Sequence, residues 1–378
     1  QLMDAAGLEQ AIGEAVENVI QVNEEIGYLS SHGCLELGGP PTPGQQTQGS
    51  LANFHDLLRA DYTVRRINLK EESIPEGLAS LIVAGPKEEF TDYELYEIDQ
   101  YLMKGRGLIL FLDRFREVQA QDPNRRFRQQ GPVYLPLDTG IERLLKNYGL
   151  SSSAAYVMDE SCFKQRVPQR FGGGERPIYF APIIKNESIN KEMAVLKDIK
   201  GLVMLKASPL VMDEEKAKKK GLKPVRLFSS SDQSWEMKGK IDLNPLLLRP
   251  PGPEESRRAS ALAYVLEGGF PSYFADKPIP EKAEPTEPDD EGDPEGEKEN
   301  GENEIDLSNI LRAEATVKEG KPGGVFLVGT SEILRDNLID KEGKSPNAQF
   351  LMNVIDAFNG REAYALMRTK AQRLSLIH

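Results

Sequence analysis

The apolar positions follow two rhythms, short continuous or alternating runs and runs spaced three and four apart, and the two take turns along the chain. Glu25 to Ser30 reads as a short strand ending at Ser31-His32-Gly33. A Gly-, Pro- and Gln-rich loop over 38–49 follows, and Ser50 is placed to cap a helix with Leu51, Phe54, Leu57 and Leu58 on one face. Tyr62 to Leu69 alternates as a strand does, with β-branched residues in support. Leu81-Ile82-Val83-Ala84 is apolar throughout, the mark of a strand covered on both faces.

Thr91 and Glu94 make a capping box at the head of a helix striped by Leu95, Ile98 and Leu102, and Gly105 is suited to stop it. Leu108 to Leu112 then returns as a second buried strand, ending at Asp113. Strand, helix and buried strand form a right-handed crossover, and so belong to a parallel sheet. Near the other end, Gly324 to Val328 is a further buried strand closing on Gly329-Thr330-Ser331. A last helix starts near Asn347 and stripes Phe350, Leu351, Val354, Ile355 and Phe358. The pattern predicts an α/β fold with a doubly wound, mostly parallel sheet. Strands 26–30, 81–84, 108–112 and 324–328 share that sheet, and helix 347–359 packs on it.

The region 115–275 is less regular. Arg114 to Gly131 is polar and Arg-rich and reads as an exposed loop, solvated or partner-binding. Asp138-Thr139-Gly140 leads a helix with Ile141, Leu144 and Leu145, and Tyr156-Val157-Met158 is a strand ending at Asp159. Apolar runs at 201–205, 224–228 and 260–266 either extend the same sheet or build a small lobe. Gly172-Gly173-Gly174 reads as a turn, since no strong strand leads into it as a phosphate cradle requires.

Charge changes the picture in one place. Residues 276–304 hold thirteen acidic residues and three lysines, so they carry −10 of the chain's −13 and leave −3 for the rest. With five prolines and no aromatic residue, this stretch is expected to be a disordered acidic loop, because nothing in it can be buried. The division is therefore a linker over 1–20, one α/β domain over 21–275 and 305–378, and the loop between. The acidic balance argues against nucleic acid as the partner. No run approaches the ~20 apolar residues that cross a bilayer. The chain begins at Gln1 and reads as a piece whose membrane segments lie outside it.

Three phrases, in order, resemble a known family. Leu81 to Asp113 (LIVAGPKEEFTDYELYEIDQYLMKGRGLILFLD), preceded by Ile74-Pro75, is similar to the extracytoplasmic domain of GldG, the auxiliary component of an ABC-type transport system associated with bacterial gliding motility. Residues 323–360 (GGVFLVGTSEILRDNLIDKEGKSPNAQFLMNVIDAFNG) are similar to that family's second signature, in which an Asn opens the final helix. Tyr28 to Gly33 resembles its first strand, with Ser31 and Cys34 where the family has Gly and Glu. The resemblance implies a flavodoxin-like, class I glutamine amidotransferase-like fold with extra strands from the middle region. It also implies a non-catalytic binding or assembly module on the extracytoplasmic (periplasmic) face of the inner membrane. Its partners would be permease and ATPase subunits, and flanking segments outside this chain would hold it to the membrane.

In an open α/β sheet ligands bind at the carboxyl ends of the strands. Those ends supply His32, Gly33, Gly85, Lys87, Asp113, Thr330 and Ser331 as ligand-binding candidates, with a sugar or other small molecule as the ligand class. His32 beside Cys34 has the makings of a nucleophile pair, but a reactive thiol needs a positioned base. The strand that carries the nucleophile in an amidotransferase runs here into Ala84-Gly85-Pro86-Lys87, with no thiol or hydroxyl. Gly329-Thr330-Ser331-Glu332-Ile333 lacks the second glycine of a nucleophile elbow. No Walker motif is present, so ATP hydrolysis falls to a partner subunit. A non-catalytic module and a ligand-sensing or hydrolytic domain working at the His32/Asp113/Ser331 edge on a sugar or peptide are both compatible with these residues. No cofactor is expected. Two weaker readings are Mg²⁺ between Asp113 and Asp159 and a disulfide between Cys34 and Cys162.

Overall fold

The computed structural model describes residues 24–38, 50–118, 131–252, 256–282 and 317–362. The linker 1–20, nearly all of the loop 38–49, most of the acidic stretch and residues 363–378 lie outside them. The chain opens with β1 (Glu25–Leu29), α1 (Ala52–Asp61), β2 (Thr63–Ile67), β3 (Ser80–Ala84), α2 (Asp92–Met103) and β4 (Gly107–Phe111). The middle region contributes β5 (Phe115–Val118), β6 (Val133–Pro136), α3 (Ile141–Asn147), β7 (Leu150–Ser152), β8 (Ala155–Asp159), β9 (Cys162–Arg166) and β10 (Glu175–Lys185). It continues with β11 (Gly201–Val203), β12 (Leu210–Met212), α4 (Glu214–Lys219), β13 (Lys223–Ser229), β14 (Ser234–Lys238) and β15 (Ala261–Pro271). β16 (Glu319–Val328) and α5 (Pro346–Phe358) close the described chain.

The central sheet runs β2-β1-β3-β4-β16-β15-β12-β7, with β13 also on β15. The pairs from β2 to β16 are parallel and those beyond are antiparallel. Following the pairings, β15 and β7 oppose the other seven strands, so the sheet is mostly parallel. The expected sharing of strands 26–30, 81–84, 108–112 and 324–328 is observed.

Side chains alternate across it. Tyr28, Ile82, Ile109 and Phe326 face a core closed by Phe54 of α1 and Phe350 of α5. Leu81, Val83, Leu108 and Val325 face a second core closed by Leu95 and Ile98 of α2 and Leu144 of α3. Helices thus cover both faces, which is why β3 and β4 are buried at every position and apolar over Leu81–Ala84 and Leu108–Phe111.

α5 departs from the expected one-sided stripe. Asn347 through Asp356 are all buried, because the segment around 195–203 packs on the helix's outer side. Asn347 accepts from the Val203 N–H at 3.0 Å and donates to its carbonyl at 2.8 Å, and Asn353 donates to the Val195 carbonyl at 2.9 Å. Ser345, not Asn347, caps the helix, and Pro346 takes its first turn.

The middle region divides. The runs 224–228 and 260–266 extend the central sheet as β13 and β15, whereas the run at 201–205 supplies β11 of a small sheet, β11-β10-β9. Tyr156 to Asp159 forms a strand as expected, but pairs only with β14. The reading of Arg114–Gly131 as an exposed loop is corrected at its start. Phe115–Val118 pairs with β6 as a hairpin, Phe115 is buried against Tyr156, and Arg114 is drawn in by an ion pair to Glu142 at 2.9 Å. Residues 119–130 lie outside the described chain. Cys34 and Cys162 are both free, so the two are not paired as a disulfide here. Cys34 sits in the α2-side core, while Cys162 opens β9 in the separate small sheet.

Candidate functional site

β3 and β4 end side by side, and the turn after each is shaped by its residues. Gly85 has φ +59, a conformation other residues adopt at a cost, and a Cβ there would stand 2.7 Å from Ser331 Oγ and 3.2 Å from Asp113 Oδ2. The chain can therefore bring three polar side chains together over Gly85. Asp113, just past β4, accepts from the Ser331 backbone N–H at 2.8 Å on one oxygen. Its other oxygen accepts from the Ser331 hydroxyl at 2.6 Å and from Lys87 Nζ at 2.5 Å. Burial opposes the charge of Asp113, but Lys87 and the two Ser331 donors outweigh it and hold the carboxyl below its ordinary range.

Beside this trio is a second network. His32, itself at φ 57, stacks on Phe90 with ring centroids 4.1 Å apart. The Leu69 N–H donates to Ser31 Oγ, and Ser31 lies 2.8 Å from His32 Nδ1. His32 Nε2 lies 3.1 Å from Glu94 Oε2, which also accepts from the Thr91 N–H and hydroxyl. A carboxylate only accepts, so Nε2 carries a proton toward Glu94, and in the neutral ring Nδ1 accepts from the Ser31 hydroxyl. Burial lowers the His32 pKa, with Glu94 opposing. Lys87 N–H and Glu88 N–H both donate to the His32 carbonyl, tying the two turns together.

The candidates His32, Gly33, Gly85, Lys87, Asp113, Thr330 and Ser331 thus gather at one end of the sheet, but not as one cluster. Gly33 abuts Lys87, since a Cβ at Gly33 would lie 3.1 Å from Lys87 Cβ. Thr330 turns away and donates to the Leu205 carbonyl at 2.8 Å. His32 bonds neither Asp113 nor Ser331. Cys34 is no partner for it either, its thiol being pushed by burial up to about 12. Asp159 is spent on Ser231 and the Ser161 N–H, away from Asp113. Among the described residues no group of three or more His, Cys, Asp or Glu is placed to hold a metal.

The end of the sheet is also covered. The segment 205–208 crosses it: the Ser208 N–H donates to the Gly329 carbonyl at 2.7 Å, and Leu205 takes the Thr330 hydroxyl. Tyr156, in the aromatic cluster of Phe115 and Tyr134, lies close enough to Asp113 for that charge to help burial raise its pKa. The result is a closed edge, with Ser331 and Thr330 fully buried and the Asp113 side chain 10% exposed. Two clefts, of about 180 Å³ beside Tyr96 and Lys104 and about 320 Å³ beside Arg176 and Arg249, involve none of these residues.

Sequence reasoning missed Ser31, Phe90 and Glu94 as neighbours of His32, and Leu205 and Ser208 as the cover. Glu94 did signal itself as half of a capping box, and its second role left no trace in the spacing.

A family described as an ABC-type uncharacterized transport system matches residues 23–355. No curated protein matches the chain. Among solved structures it is similar to the mmIFT52 N-terminal domain, with 12% identity, a TM-score of 0.47, and coverage of 89% of this chain and 97% of that one.

Proposed function

This chain belongs to the ABC-type uncharacterized transport system family, auxiliary components of ABC-type transport systems, and from that premise we propose that it is a non-catalytic binding and assembly module. The closed carboxyl end of the sheet carries this reading. A hydrolase or sensor built on this architecture needs an open crevice there. Here Lys87, Asp113 and Ser331 satisfy one another, and the 205–208 segment is bonded to the adjoining Gly329 and Thr330. Ser331 donates its hydroxyl to Asp113, whose carboxyl Lys87 holds below its ordinary range, which makes it a weak base for activating a nucleophile.

In this reading the domain is flavodoxin-like, and residues 21–275 and 305–378 form one unit. It stands at the extracytoplasmic face of the inner membrane in a complex of the gliding-motility auxiliary type. In this reading segments flanking the chain hold it to the membrane; among the described residues no helix is long and apolar enough to cross one. Its partners are the permease and ATPase subunits, and the ATPase supplies the nucleotide chemistry.

The test is purification of the full-length protein from detergent-solubilised membranes. Stoichiometric recovery of permease and ATPase subunits, undiminished by Ser331→Ala, is the expected result. Recovery of the protein alone, together with a sugar- or peptide-hydrolysing activity abolished by Ser331→Ala, would favour the enzymatic reading instead.

A further inference from the structure

β9 is an edge strand whose outer side is unoccupied among the described residues. It pairs with β10 through Arg166–Glu175, Gln165–Arg176, Lys164–Pro177 and Phe163–Ile178. The Val167 N–H donates to the Gly174 carbonyl at 2.9 Å, so the next pair out is hydrogen-bonded. Bonded and non-bonded pairs alternate along an antiparallel ladder. Gln165–Arg176 and Phe163–Ile178 are therefore bonded, whereas Arg166–Glu175 and Lys164–Pro177 are not. Pro177, which has no N–H, stands where none is needed. The N–H and C=O of Lys164 and Arg166 consequently point away from β10, and no described residue pairs with them.

The side chains along this edge select by charge. Residues 163–176 carry four cations (Lys164, Arg166, Arg170 and Arg176) against Glu175, a local +3 in a chain of −13. Lys164 and Arg166 project from one face of the strand, and Phe163, 50% exposed, projects from the other. Charges alone can serve to keep an edge from pairing. A half-exposed phenylalanine next to them does not suit that purpose.

We propose that the outer edge of β9 takes an extended, acidic segment of a partner protein as an added strand. The backbone of Lys164 and Arg166 supplies the hydrogen bonds, their side chains meet carboxylates at alternate positions, and Phe163 meets an apolar residue between them. The segment recognised thus alternates acidic and apolar residues. This deepens the assembly reading by naming a contact surface. It is tested on the isolated chain, so its failure would leave the co-purification result untouched.

The probe is an acetylated, amidated octapeptide of alternating Glu and Val, with alternating Lys and Val as the control, added to the full chain. Binding is followed by amide hydrogen exchange and by titration. The Glu-Val peptide should slow exchange at Lys164 and Arg166 at least tenfold, and the double variant Lys164→Glu/Arg166→Glu should weaken it tenfold or more. Lys164→Pro, which removes an outward N–H and leaves the β10 ladder whole, should weaken it while Gln165 stays protected. Equal binding of both peptides, or no protection at millimolar peptide, would overturn the proposal. So would Lys164 and Arg166 amides already protected in the peptide-free chain, because a second copy or the chain's own acidic stretch would then be the occupant.

Discussion

Each end of the central sheet buries an aspartate, and the two are held in opposite ways. Asp113, at the carboxyl end, faces a cation: Lys87 sits 2.5 Å away, and the carboxyl is held below its ordinary range. Asp99, on α2 at the end where β15 leaves the sheet, is held by neutral donors. The Ser272 hydroxyl at 2.6 Å, the Tyr273 N–H at 2.9 Å and the Tyr148 hydroxyl at 3.1 Å point to it, and burial still pushes its pKa up. Hydrogen bonds that join α2 to the ends of α3 and β15 are sufficient to fasten one end of a sheet. Closing the other end over a position where this architecture ordinarily admits ligand takes a charge pair and a crossing segment.

The comparison presumes that both ends belong to one cooperative unit, and the largest expected effect tests that. Phe350 lies between Phe228 and Phe326, with ring centroids 5.4 and 5.9 Å away. Phe350→Asp would bury an unpaired charge there and should cost more than about 3 kcal/mol. Amide exchange should then accelerate together in β1, β4 and β16. Protection kept in residues 25–113 while α5 is lost would break the comparison.

Asp113→Asn should cost about 2 kcal/mol at neutral pH, since it removes a charge-assisted pair and mismatches the Ser331 donors. Because the folded pKa is lowered, this stability is present above about pH 4, the unfolded value, and is lost as pH falls through the folded one. Denaturant titrations of wild type and variant should therefore converge in acid. Asp99→Asn should change stability by less than about 1 kcal/mol, with the opposite pH trend. A raised folded pKa means the native carboxyl loses stability as pH rises above about 4, so the variant should gain on wild type as pH rises from there through the folded value. Matching trends would dissolve the comparison.

The smallest effect belongs to His32. Its lowered pKa makes it stabilising above about pH 6.5, with that contribution lost as pH falls towards the folded value. Around the ring, Glu94, Glu88 and Lys70 are the charges that face it. His32→Gln should flatten the stability profile below about pH 6.5. His55, lowered by burial in the same direction, leaves a residual slope.

The parallel half of the sheet was legible because β3, β4 and the end of β16 carry continuous apolar runs and α2 begins with a capping box. Local sequence carries both signals. The seating of Asp113 was not legible, since its partner Ser331 lies 218 positions away and only the fold brings them together. The cover at Leu205 likewise reaches Thr330 across 125 positions. Tyr156 to Asp159 shows the limit in another form. The short apolar run Tyr156-Val157-Met158 indicates a strand, but nothing local says that β14 would be its partner instead of the central sheet. The start of α5 is written in Ser345-Pro346, a cap followed by a first-turn proline, whereas the apolar stripe alone places it near Asn347.

Closure of the carboxyl end is the central claim, and thiol labelling tests it directly. Cys34 and Cys162 are both buried, so the native chain offers a thiol reagent no fast site among the described residues. A Ser331→Cys variant, compared with Phe163→Cys on the exposed strand edge, reports access to each place. The account predicts that Phe163→Cys labels at the rate of a free thiol while Ser331→Cys labels only as fast as the protein unfolds. Labelling of Ser331→Cys at the free-thiol rate in a chain that keeps its native exchange protection would show an open crevice and contradict it.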